Sequence, residues 1–225
     1  MTGPNESYFP GRSLGSHSKR VTEPRTTVTR EAERGIRYGL LAVLVVGLRR
    51  RDPGAVVNAV VALAVTYLPG VVERRYDVEF RPWQRVYAQG AMLTHALGML
   101  GPYDDVWWWD HVTHTHSATL VGGLVHAVAR RNDRDPRPRV LAAVVGGGVL
   151  WELVEYVVHH TADRLGIEPV LVSYGKVDTA LDLVFNALGA LVVLAWGDRL
   201  LGNFVDAPSE PSTRAVSDVD QDRPT

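Results

Sequence analysis

The chain has 225 residues, no cysteine and a formal net charge of −1 at pH 7, with 46% hydrophobic and 22% charged residues. Without cysteine it forms neither a disulfide nor a cysteine zinc site, so a metal ion would need histidine and carboxylate ligands. These averages resemble those of a soluble domain only because the charged residues lie in tails and loops, whereas the apolar residues lie in long segments.

The chain divides into a central apolar domain and two polar tails. Residues 1–34 and the acidic segment 204–225 lack apolar periodicity, which predicts disordered tails, both cytoplasmic. Residues 35–203 would form one domain. The first 30 residues contain no short apolar core followed by a small-residue cleavage site, so we expect no cleaved signal peptide.

Six apolar segments predict an all-α, polytopic membrane helix bundle with about six transmembrane helices. In chain order the segments are 35–48, 54–72, 86–100, 109–129, 139–160 and 178–201. The first and third are short for a hydrocarbon core of roughly 30 Å, so tilt or snorkelling of Arg37 and Arg85 would have to complete those spans.

The positions of lysine and arginine predict the orientation of this bundle. In a six-span arrangement they are in large excess on the side of both termini, which places the termini in the cytoplasm of a multi-pass plasma-membrane protein. If residues 35–48 lay on the surface instead, the excess would disappear. The lipid bilayer is the expected partner; the Arg-rich segment 130–139 is short and mixed with acids, so we expect no nucleic-acid binding.

Acids and histidines cluster at the predicted outer ends of the last three helices. Glu152 and Glu155 share one face of the fifth helix, and Asp178 and Asp182 share one face of the sixth, because i, i+3 and i, i+4 positions are neighbours on a helix. Ionisable residues at such positions are typical of working sites in membrane proteins. The predicted pocket is lined by His111, His114, Glu152, Glu155, Asp178 and Asp182.

Three interpretations of this pocket stay open. Its polar groups could bond to one another and only stabilise the bundle, or they could carry protons or cations through it. Alternatively the pocket could hold a divalent ion such as zinc, manganese or iron and act on an envelope-side substrate. In that third interpretation the metal ligands are His111, Glu152, Glu155 and Asp178. The general base is then Asp182 or His114.

The order of these motifs resembles the YjdF-like family of multi-spanning inner-membrane proteins. The matching pieces are HALGMLGPYDD, WDHVTHTHSATLVGG, WELVEY and DTALDLVFNALGA. In this resemblance His111 takes the position of the family's histidine. A looser similarity is to VanZ-like proteins, which have a DKxxH-like motif before one membrane helix and a DxxxNxxG-like stripe in the last. The resemblance implies a membrane bundle without a settled activity, so it leaves enzyme, transporter and scaffold open.

Overall fold

The computed structural model describes residues 27–76 and 78–205. Within these residues the chain folds into eight helices and no strand. The helices are α1 (Thr27–Arg50), α2 (Pro53–Val65), α3 (Leu68–Tyr76), α4 (Pro82–Gly98), α5 (Pro102–Asp105), α6 (Trp109–Arg131), α7 (Pro136–Leu165) and α8 (Lys176–Val205). The predicted all-α class is therefore confirmed.

Local sequence signals set most of the helix ends. Four helices begin with proline, whose fixed φ suits the first turn and whose missing N–H is not needed there. Asp52 caps α2 by accepting a hydrogen bond from the Ala55 N–H at 2.9 Å, and Asp135 caps α7 in the same way. Gly166 ends α7 in the left-handed conformation, at φ 66°.

The first two helices differ from their predicted lengths. Helix α1 has 24 residues, which span about 36 Å, because the polar turns before Gly35 are helical too. It therefore begins inside the segment predicted as a disordered tail; the rest of that segment, residues 1–26, lies outside the described residues, as do residues 206–225 of the other predicted tail. The predicted helix 54–72 is split into α2 and α3 by a turn at Thr66 and Tyr67.

The long helices form two groups that meet where α4 contacts α6. The first group, α1, α2 and α4, shares a core made of Leu40, Val43, Ala59, Ala62 and Ala96. The second group, α6, α7 and α8, shares a core made of Ala118, Val140, Val144, Ala190 and Val193. Because these core residues are mostly small, the helices approach one another closely.

The outer surface of the bundle is apolar. Large side chains such as Leu124, Leu150 and Val184 are more than half exposed, which is typical of a lipid-facing surface rather than a solvated one. Among the described residues, three helical segments are long and apolar enough to cross a membrane: Pro53–Tyr76 (α2 with α3), Pro136–Leu165 and Lys176–Val205. The protein is thus a helical membrane bundle, and the number of six spans stays a prediction.

Contacts between distant segments define two ends of the bundle. At the first, which we call the site end, the Tyr174 hydroxyl donates to Asp104 Oδ1 at 2.7 Å, joining the α7–α8 loop to α5. At the opposite, Arg-rich end, the Asn203 amide donates to the Glu79 carbonyl at 2.6 Å, joining α8 to the segment before α4. The α6–α7 turn with its arginines also lies at the Arg-rich end, since α6 runs from the first end to the second.

Arg85 does not snorkel to the membrane surface, contrary to the prediction from its position. Its side chain is buried, with Nε 2.7 Å from Glu33 Oε1 and Nη1 2.7 Å from Glu73 Oε2. These ion pairs connect α1, α3 and α4 at the Arg-rich end. A buried guanidinium needs such partners because an unpaired charge in a medium of low polarity is very costly.

Candidate functional site

Asp182, on α8, is the centre of the polar cluster at the site end. It is 1% exposed, and its Oδ1 lies 3.0 Å from His111 Nδ1 and 3.9 Å from His114 Nε2. His114 Nε2 is also 3.5 Å from Asp110 Oδ1. The cluster therefore joins the first turns of α6 to the second turn of α8.

Close packing of α6 on α8 brings these groups together. A Cβ added to Gly189 would lie 2.7 Å from Ala118 Cβ and 2.7 Å from the Thr115 carbonyl oxygen, so only glycine permits this approach. One turn nearer the site, the Thr115 hydroxyl donates to the Phe185 carbonyl at 3.2 Å. The Phe185 ring stacks on His111 with centroids 4.7 Å apart, which fixes the orientation of the imidazole.

The cluster offers two sets of three metal-ligating atoms, which we call the two triads. Within each triad the ligand atoms all lie within 4.8 Å of one another, and Asp182 belongs to both. The first triad is Asp110, His114 and Asp182; the second is His111, Asp178 and Asp182. Carboxylate oxygens and imidazole nitrogens at such distances are suitable donors for a divalent ion.

Glu152 and Glu155, on α7, belong to neither triad. Glu152 is close enough to interact electrostatically with His114 and Asp182, and its Oε1 is buried without a hydrogen-bond partner. Glu155 accepts a hydrogen bond from Trp151 Nε1 at 2.8 Å. Both carboxyls therefore border the cluster, but only Glu152 has a free buried oxygen.

A second layer of hydrogen bonds connects the cluster to α4. The Thr113 hydroxyl lies 3.2 Å from Asp110 Oδ1, and the Tyr103 hydroxyl lies 3.4 Å from that threonine and hydrogen-bonds His95 Nδ1. Burial raises the pKa of the Tyr103 phenol, so this hydroxyl stays protonated. His95 thus reaches the site region indirectly, through tyrosine and threonine.

The loop between α7 and α8 crosses the site end. The Ser173 N–H donates to His159 Nδ1 at 3.4 Å, and Tyr174 bonds Asp104 on α5. Earlier in the loop, the Val170 carbonyl oxygen lies 3.4 Å from where a Cβ of Gly54 would be, on the first turn of α2. The loop therefore bridges the two helix groups on the side where the cluster lies.

Of the six residues predicted for the pocket, the structure brings four into the triads: His111, His114, Asp178 and Asp182. The prediction left out Asp110 as a ligand, although its one-turn spacing from His114 is a signal for it. His116, the third histidine of this segment, faces away and contacts the Tyr87 ring of α4. No feature of the sequence separates His116 from the other two without knowing how α6 is rotated.

Comparison with known proteins identifies the family but no activity. A family model described as "Predicted membrane protein (DUF2238)" matches residues 33–203, and it is the YjdF-like family that the motifs resemble. This match gives no support to the looser similarity to VanZ-like proteins. Searches found no matching curated protein and no matching solved structure. The chain belongs to the DUF2238 family of predicted membrane proteins.

Proposed function

We propose that this protein binds a divalent metal ion in the polar cluster and hydrolyses a substrate on the outer face of the plasma membrane. The observation that carries the proposal is the pair of triads around Asp182, which bring together five ligating groups in a membrane bundle, three of them buried and two partly buried. Intramembrane ionisable groups are expensive to bury and are usually retained for function.

The donor chemistry supports zinc, manganese or iron. Asp110, Asp178 and Asp182 crowd three carboxyl groups into one region, and a cation would relieve their mutual repulsion. The proposed ligand set keeps His111 and Asp178 from the sequence-based set. In place of Glu152 and Glu155, whose carboxyls lie outside the triads, the proposed set includes the other three triad residues: Asp110, His114 and Asp182.

Glu152 is the general base in this proposal. Its buried Oε1 has no hydrogen-bond partner and faces the same region as His114 and Asp182. A divalent ion would act as a Lewis acid on the scissile ester. Glu152 would take a proton from the attacking water and return it to the leaving oxygen, so that ester and water become acid and alcohol.

The outward orientation of the site end is part of the proposal. The arginines of the α6–α7 turn lie at the opposite end, and positive residues are retained on the cytoplasmic side of membranes. Both termini would then be cytoplasmic, and the six-span arrangement would follow from α1, α2–α3, α4, α6, α7 and α8.

Transport of protons or cations is a second candidate, favoured by polar groups at the Arg-rich end. There His126 Nε2 lies 3.0 Å from Asp198 Oδ1, and Arg130 Nε lies 2.7 Å from the same oxygen. An apolar layer separates these groups from the site: Ala118, Val140, Val144, Ala190 and Val193. Hydrolysis needs no route through that layer, whereas transport does, so the packing favours hydrolysis.

Metal content and metal-dependent hydrolysis test the proposal together. Protein purified in detergent without chelator or a metal-affinity column would be analysed by mass spectrometry beside Asp182→Asn and a control, Asp104→Asn, which changes a carboxylate outside the triads. We expect metal in the wild type and the control and its loss in Asp182→Asn. Chromogenic carboxylic and phosphoric esters would then be assayed with and without added metal.

Each result has a distinct meaning. A protein that binds no ion contradicts the metal site. Metal binding without metal-dependent hydrolysis of any ester class contradicts the catalytic part. Proton or manganese flux in liposomes, lost in Asp182→Asn, would favour transport instead.

A further inference from the structure

The ligating groups form two positions around Asp182 rather than one. Asp110 and His114 are one turn apart on α6 and about 40° apart round the helix, whereas His111 is about 100° from Asp110 and about 60° from His114. On α8, Asp178 lies one turn nearer the site end than Asp182. Asp182 therefore belongs to two groups of ligating atoms, one with Asp110 and His114 and the other with His111 and Asp178.

We propose that the cluster binds two divalent ions, with the Asp182 carboxylate bridging them. One ion is held by Asp110, His114 and Asp182, and the other by His111, Asp178 and Asp182. This inference rests on the proposed metal site and adds a second ion to it.

The spacing of the ligands fits a two-ion centre better than a single ion with five ligands. Among the described residues, the five ligating side chains fall into two triads of atoms within 4.8 Å and not into one common set. Ions in two-metal hydrolytic sites are about 3.5–4 Å apart, a separation that one shared carboxylate can bridge.

Each ion in this arrangement keeps positions open for water or substrate. Three protein ligands per ion is the number found at catalytic sites, where the remaining position is left for the reacting molecule. Near these ligands, the buried Oε1 of Glu152 has no hydrogen-bond partner among the described residues, although buried polar oxygens usually have one. A water molecule bound to one of the ions would satisfy that oxygen.

The immediate surroundings hold the ligands in place for this role. His111 is stacked on Phe185, which holds the plane of its ring, and its Nδ1 lies 3.0 Å from Asp182 Oδ1. Asp110 is oriented by the Thr113 hydroxyl. Hydrogen bonds to metal-ligating carboxylates are a common feature of metal sites.

Metal stoichiometry decides the number of ions. The full-length protein in detergent would be freed of metal, dialysed against Mn²⁺ and analysed for bound ion, and its electron paramagnetic resonance spectrum would distinguish a coupled Mn²⁺ pair from isolated ions. We expect two ions and a coupled spectrum in the wild type and in the control Asp104→Asn. We expect one ion and an uncoupled spectrum in Asp110→Asn and in Asp178→Asn, which each alter a different triad.

The outcomes separate this inference from the proposed function. One ion in the wild type overturns the two-ion inference and leaves the metal site standing, whereas no ion overturns both. Loss of both ions in Asp110→Asn or Asp178→Asn, with helicity and elution volume unchanged, overturns the assignment of separate triads. We expect Asp182→Asn to bind neither ion. If that variant fails to fold, Asp110→Asn and Asp178→Asn, which each alter one triad, still test the inference.

Discussion

Tyr174 shows how a single side chain at the site end can be tested without disturbing the cluster. Burial raises the pKa of its phenol, and the Asp104 carboxylate that accepts its hydrogen bond raises it further. The folded-state pKa is thus above the unfolded value of about 10, so the stability contributed by the Tyr174–Asp104 hydrogen bond is fully present below about pH 10. It is lost as the pH rises through the folded-state pKa.

We therefore predict that Tyr174→Phe makes the protein less sensitive to alkali. As the pH rises from about 10 towards 12, the melting temperature of the wild type should fall more than that of the variant, because Tyr174 ionises in the unfolded chain while burial and Asp104 oppose its ionisation in the folded protein. Thermal melts followed by circular dichroism would measure this, and ultraviolet absorbance of tyrosinate should show one late-titrating phenol fewer. Parallel decreases in both proteins would contradict the prediction.

The buried ion pairs of Arg85 lead to a second prediction at the scale of single residues. In Arg85→Gln the buried Glu33 carboxylate keeps only its longer ion pair with Arg37, at 3.8 Å, and loss of the Arg85 partner should lower the free energy of unfolding by about 3 kcal/mol. The matched control is Arg34→Gln, which removes an exposed ion pair with Glu31 and should change stability by less than about 1 kcal/mol.

Denaturation in detergent, followed by circular dichroism, compares the two variants. Similar stability in Arg85→Gln and Arg34→Gln would mean that the Arg85 network does not hold α1, α3 and α4 together. The site would be expected to persist in either case, because it lies at the other end of the bundle.

Among the helices, the packing of α6 on α8 decides whether the site forms. The two helices approach closely at Gly189, which lies one turn from Asn186 and two turns from Asp182. A methyl group there would meet both the Ala118 side chain and the Thr115 backbone, and neither can move without separating the helices.

We predict that Gly189→Ala destabilises the protein by about 1–3 kcal/mol and weakens metal binding. The control is Gly146→Ala on α7, where no atom lies within 4 Å of the added carbon, so better helix propensity should leave stability unchanged or slightly higher. Thermal melts and Mn²⁺ titrations of both variants measure the two effects. Tight metal binding in Gly189→Ala would show that the triads do not depend on this contact.

For the whole molecule, the absence of cysteine makes the topology directly testable. A single cysteine introduced at Ser173 should react with a membrane-impermeant maleimide added to intact cells, because the site end faces outward in the proposed arrangement. Arg134→Cys, in the α6–α7 turn, should react only after the cells are permeabilised. Arg49→Cys at the end of α1 should behave like the Ser173 variant if α1 spans the membrane.

The opposite pattern at Ser173 and Arg134 would reverse the orientation and place the cluster on the cytoplasmic side. Labelling of Arg49→Cys only after permeabilisation would mean that α1 does not span. The cysteine-free wild type serves as the blank in every case.

Much of the architecture could be predicted because the signals for it are local. Apolar segments, prolines at the first helical positions and the spacing of Asp178 from Asp182 are all readable along the chain, and each depends only on neighbours within a few residues. The start of α1 at Thr27 was missed because its first turns are polar and have no apolar periodicity. Their helicity comes from continuity with the apolar part and from the burial of Glu33.

The sequence by itself determined that the protein is a helical membrane bundle and that acids and histidines gather at one end of it. Which of those groups meet was decided only by the tertiary structure, because it depends on how each helix is rotated about its axis. In the folded bundle α6 packs against Gly189 of α8 and is rotated so that Asp110 joins the cluster while His116 contacts Tyr87. The pairing of Arg85 with Glu33 could not be predicted from the sequence either, because the two residues are 52 positions apart and only helix packing brings them together.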